Sequence, residues 1–152
     1  MKLITRYLII GLTVISQNIF AQEHPAFQPV KDLFAAMSNV DHSRMKQVVT
    51  NDFILLENGE VWTIDDLAAV VGPSDYKRTN YFKMINIQSH DNIAWINYWN
   101  KANFSNGENS QDVVWLESVV IVQKEAVWLI SQMHSTKLEP NKVPQNIGFT
   151  RL

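Results

Sequence analysis

Glu117 and His134 form the sharpest candidate pair for acid–base chemistry. A carboxylate beside an imidazole favours the protonated ring or fixes its tautomer, and a pair lining a cavity can serve as general base and acid. The plainer alternative is an inert cross-strand ion pair or a satisfied core histidine. Whether the two meet depends on strand register. His134 sits near the end of VWLISQMHST (residues 127–136), whose alternation carries Trp128, Ile130, Gln132 and His134 on one face. A two-residue turn at Glu125 and Ala126 sets Ile121 opposite Ile130, Val119 opposite Gln132 and Glu117 opposite His134. A two-residue turn at Asn106 and Gly107 sets Tyr98 opposite Trp115 and Ile96 opposite Glu117.

Both counts converge on a face holding Ala94, Ile96, Tyr98, Trp115, Glu117, Val119, Trp128, Ile130, Gln132 and His134. Apolar walls with a few orienting polar groups suit a concave ligand site, in which Tyr98 and Gln132 would orient a carbonyl or hydroxyl. An extra residue or a bulge at the Glu125–Ala126 reversal would instead bring Ser118 opposite His134. The other face, with Trp95, Trp99, Val114, Leu116, Val120, Val122, Leu129 and Met133, is too apolar to meet water, so a second copy of the chain is the expected cover.

Other chemistries find no support. His24, His42, His90 and His134 are scattered, no HxH or HExxH spacing occurs and cysteine is absent, so no metal site is expected. No nucleophile elbow, phosphate loop or dinucleotide fingerprint is present, and no cofactor is implied.

The elements that must position these residues begin after a leader. Residues 1–21 combine basic Lys2 and Arg6, an apolar run from Tyr7 to Ile15 and a small Ala21, the layout of a cleavable signal peptide, which predicts an exported protein, periplasmic or secreted. The run breaks at Ser16, too short for a spanning helix, so no stable membrane anchor is expected after cleavage. Removing two of the 13 basic residues and none of the 15 acidic ones leaves a net charge of −4, which argues against nucleic acid as a partner.

From Pro25, apolar residues at Phe27, Val30, Leu33, Phe34 and Met37 fall at helical steps of three and four. Asp41 caps a second short helix carrying Met45, Val48 and Val49. NDFILLENGEVWT (51–63) reads as a hairpin turning on Asn58 and Gly59, and Thr63 with Asp66 forms a capping box for a third helix ending at Gly72 and Pro73. Four β-rich segments follow almost to the end and predict an antiparallel meander. Helices first and strands after argue an α+β domain with helices on one face of a strongly curved sheet. The domain spans 22–138, and the aperiodic tail 139–152 is expected to run along the surface.

The order of these elements, with the DLFAAM helix followed by Asp41, the GEVWTIDDLAAVV hairpin and helix, and the final pattern of Trp128, Ile130, His134 and Thr136, resembles the nuclear transport factor 2-like superfamily, in particular its SnoaL-like and ketosteroid-isomerase-like members. The resemblance implies a cone-shaped half-barrel around a hydrophobic cavity, commonly dimeric through the outer face of the sheet. Phe34, Met37, Trp62, Tyr98, Trp115, Trp128 and Gln132 are the residues expected to face a small apolar ligand in such a cavity. Steroid isomerases of the superfamily use a tyrosine on the first helix and an aspartate before the glycine turn; Phe34 and Leu56 stand nearest here, so that chemistry does not carry over. The expected function is small-molecule binding without turnover. The alternatives are an isomerase, cyclase or lyase using Glu117 and His134, or a self-association module.

Overall fold

A computed structural model describes residues 24–152; the leader lies outside the described residues. A 3-10 turn at Pro25–Phe27 leads into helix α1 (Gln28–Ser38), whose apolar stripe buries Val30, Leu33 and Phe34. The Asp41 carboxylate accepts from the Arg44 amide over 2.9 Å and starts α2 (His42–Gln47). Strand β1 (Val49–Glu57) turns back through Asn58 and Gly59, both at positive φ, into the short β2 (Glu60–Trp62). Thr63 and Asp66 exchange the two bonds of a capping box at the start of α3 (Ile64–Ala69), satisfying amides that the first helical turn leaves without partners.

The rest of the chain is the meander of β3 (Lys77–His90), β4 (Ile93–Ser105), β5 (Ser110–Lys124) and β6 (Val127–Lys137). The sheet runs β2-β1-β6-β5-β4-β3-β7, antiparallel except where β1 lies parallel to β6. Its seventh strand comes from the tail, which does more than run along the surface: β7 (Thr150–Arg151) pairs with Tyr81 and Phe82 on the edge of β3. This is an α+β fold with the helices packed on one side of a curved, mainly antiparallel sheet.

The core lies between α1 and the concave face. Phe27, Phe34, Phe82 and Tyr98 meet edge to face at centroid distances of 5.2–5.9 Å, the geometry that aromatic quadrupoles favour. Asn80, buried on β3, donates from Nδ2 to the Phe34 carbonyl (3.1 Å) and to Ser38 Oγ (2.7 Å), pinning the helix to the sheet.

Two details of register differ from the expectation. The β4–β5 loop holds four residues, with Ser105 facing Ser110, because the Asn106 side chain accepts from the amides of Glu108 and Asn109 and closes a wider turn. Tyr98 is therefore opposite Glu117, and Trp115 opposite Asn100. Between β5 and β6 the two-residue turn holds, with Glu125 and Ala126 at φ 50° and 67°, and Ile121 does face Ile130. The next pair is Val120 with Gln132, so Ser131 is an unpaired bulge residue.

Candidate functional site

The bulge decides which side chains of β6 share the hollow. An odd shift turns every later residue to the other face. Beyond Ser131, Met133 and Ser135 point inward, whereas Gln132 and His134 point outward, opposite Val120 and Ser118. His134 is exposed, and the expected Glu117–His134 pair does not form. Met133, expected outside, belongs to the core.

A half-enclosed recess of about 230 Å³ opens between α1, the β1–β2 hairpin and the concave sheet. Leu33, Phe34 and Met37 line it from α1, Leu55 and Trp62 from the hairpin, and Trp115 and Met133 from the sheet. Trp128, also on the inner side, lies apart from this recess and packs edge-on against His24, with ring centroids 6.4 Å apart. A wider groove between α1, β3 and the C-terminus holds about 840 Å³, but the buried Asn100, Glu117 and Ser135 gather in the smaller recess.

Its polar floor is Glu117 and Asn100, with Ser135 and Arg78 beside them. Glu117 is 4% exposed, and its Oε1 accepts from Ser135 Oγ over 3.1 Å while Oε2 has no partner. Burial pushes its pKa up to about 7, because a carboxylate removed from water loses the solvation of its charged form. Tyr98, Ser135, Asn100 and the charge of Arg78 all pull the other way, and none offsets burial. Tyr98 and Asn100 lie close enough to favour the carboxylate, yet neither the Tyr98 hydroxyl nor either amide atom of Asn100 achieves full hydrogen-bond geometry with any partner. Burial, and then the neighbouring Glu117, hold the Tyr98 phenol well above its ordinary range, so it stays protonated.

Arg78 completes the site from β3. Its Nε donates to Asn80 Oδ1 at 2.8 Å, and its guanidinium lies 5.4 Å from the Phe34 ring centre and 5.6 Å from that of Phe104. Desolvation lowers its pKa and Glu117 raises it, the mark of two opposite charges sharing one low-dielectric pocket. Among the described residues, no three metal-binding side chains come together.

Of the residues singled out in the sequence, Glu117, Phe34, Met37, Trp62 and Trp115 are brought to the recess, and Tyr98 lies buried beside Glu117. Gln132, His134 and Trp128 are not. Arg78, Asn100 and Ser135 were missed. Asn100 shares the period-two alternation of Ile96 and Tyr98 and could have been found by carrying that face two residues further.

No family model and no curated protein matches the chain. Solved structures do. A nuclear transport factor 2-like protein from Cytophaga hutchinsonii aligns with a TM-score of 0.61 at 15% identity, covering 74% of this chain and 94% of that one. A ketosteroid isomerase-like protein from Erwinia carotovora atroseptica gives 0.58 at 15%, covering 76% and 95%. The association domain of C. elegans CaMKII gives 0.60 at 16%, covering 72% and 90%. The chain therefore has the nuclear transport factor 2-like fold.

Proposed function

We propose that this protein is an exported small-molecule-binding domain whose ligand lies in the recess with its apolar body against Leu33, Phe34, Met37, Trp62 and Trp115 and its polar end on Glu117 and Asn100. The observation that carries this reading is the buried Glu117 carboxylate, which faces an otherwise largely apolar recess with one oxygen unpartnered. A buried acceptor without a bond costs roughly 1–3 kcal/mol, which a bound donor would recover. Binding without turnover is favoured over acid–base catalysis because the imidazole that would have partnered Glu117 is on the other side of the sheet.

Native mass spectrometry of the protein purified from its source tests the reading. A retained small molecule is expected, and it should be lost when Trp115→Ala opens the wall. A recess that retains nothing, and shows no ligand-induced shift of its methyl or indole NMR signals across a panel of ring-bearing compounds, would refute it.

A second reading, self-association, has its own observation. Trp95 is 52% exposed on the outer face, and Leu116 is also exposed there. An apolar outer patch of this kind suits a second copy. The same mass spectra give the oligomer mass, and Trp95→Lys should shift a dimer to monomer.

A further inference from the structure

We propose that the ligand is a small apolar amine, its ammonium group accepted by Glu117 Oε2 and Asn100 Oδ1, an inference that rests on the binding function proposed above. An ammonium group carries only donors; Glu117 Oε2 and Asn100 Oδ1 are acceptors without partners in side chains 4% and 1% exposed, lying just beneath the surface of the recess beside two donors also without partners, the Tyr98 hydroxyl and Asn100 Nδ2.

The charges around the recess point the same way. Glu57, Glu60 and Glu117 line it against the single cation Arg78. Glu60 already accepts from Trp62 Nε1 at 2.7 Å and so is held at the mouth, where its charge favours an entering cation. Arg78 is engaged by Asn80 and by two aromatic rings, and its charge acts on Glu117 through space. Phe34, Trp62 and Trp115 supply the π faces that attract an organic cation and cover its apolar body. An anionic ligand could meet Arg78 but would face three carboxylates. A neutral alcohol would bond to the floor without the charge term. The volume, about 230 Å³, is roughly that of eight waters at their liquid density, a fit for one ring with a short tail.

Isothermal titration of the full-length protein at pH 8 with 2-phenylethylamine, 2-phenylethanol and 3-phenylpropanoate tests this. The amine should bind about tenfold more tightly than the alcohol, as one charge-assisted bond predicts, and the acid most weakly. Glu117→Gln should bring the amine to within about twofold of the alcohol while leaving the alcohol unchanged. Glu60→Gln, at an exposed position that should not disturb folding, should weaken the amine alone by about threefold. Alcohol or acid binding as tightly as the amine, or an amine preference untouched by both substitutions, overturns the amine assignment and leaves the recess as a binding site. Failure of all three compounds to bind overturns the amine assignment, and the binding function then rests on the native mass spectra and the NMR panel described above.

Discussion

Ser135, and not His134, stands opposite Glu117 on the neighbouring strand and donates to its Oε1 over 3.1 Å. The substitution Ser135→Ala removes the one bond of full geometry made by this buried carboxylate. At pH 8, where Glu117 is mainly ionised, the loss should be about 2 kcal/mol, as for a hydrogen bond to a charged group. At pH 5 the carboxyl is neutral and the loss should fall to about 1 kcal/mol. Urea unfolding at the two pH values measures the difference, and equal losses would mean that the hydroxyl does not sense the charge.

Glu117 itself makes stability depend on pH. Its folded pKa, about 7, lies above its ordinary value of 4.5, so between these values the folded protein holds a proton that the unfolded chain has released. The contribution is full below 4.5 and is lost as pH rises through about 7. The penalty at pH 8 is on the order of 3 kcal/mol. Glu117→Gln keeps the shape and removes the charge, so its melting temperature should exceed that of the parent at pH 8, with the gap closing by pH 5. A constant gap across this range would place the ionisation elsewhere.

The contrast between Tyr98 and His134 explains how far the sequence could be read. Helix stripes, caps and the Asn58–Gly59 turn are local signals, and each begins where its residues predict, although α2 stops at Gln47 and Val49, expected on that helix, opens β1. Strand faces are inherited through every turn, so an error propagates according to its parity. The β4–β5 loop is two residues longer than expected; an even change slides the register by one pair but keeps the face, so Tyr98, Trp115 and Glu117 still look inward. The bulge at Ser131 adds one residue, and an odd change turns Gln132 and His134 out while bringing Ser135 in. Nothing local in Ile130-Ser131-Gln132 marks a bulge: no glycine or proline interrupts the pattern, and the break coincides with a second register shift, between β6 and β1, at the same residues. Arg78 was hidden for a different reason. It follows a polar loop, and only the tertiary stacking on Phe34 and Phe104 shows its place.

The turn that held the register is itself strained. Glu125 and Ala126 occupy the left-handed region at φ 50° and 67°, which costs an L-residue with a Cβ about 1 kcal/mol or more. Glycine adopts that conformation freely, at the cost of a more flexible unfolded chain. Ala126→Gly should therefore stabilise the protein by about 0.5–1 kcal/mol, seen as a rise of a few degrees in melting temperature. A fall in melting temperature would show that unfolded-state entropy outweighs the relief of strain.

Asn80 links the recess to the helix that covers it. Its Nδ2 bonds to the Phe34 carbonyl and Ser38 Oγ, and its Oδ1 accepts from Arg78 Nε, all from a side chain 2% exposed. Asn80→Ala removes all three bonds in a site that water cannot easily refill, and should cost about 2–3 kcal/mol. Asn80→Asp keeps the acceptor for Arg78 and loses both donors. It should hold Arg78 in place, visible as an unchanged Arg78 Nε–H chemical shift, while α1 loosens and its amides exchange faster with solvent. If the alanine variant unfolds within about 0.5 kcal/mol of the parent, α1 is held by the Phe27, Phe34, Phe82 and Tyr98 cluster alone, and the amide contributes only to the placement of Arg78.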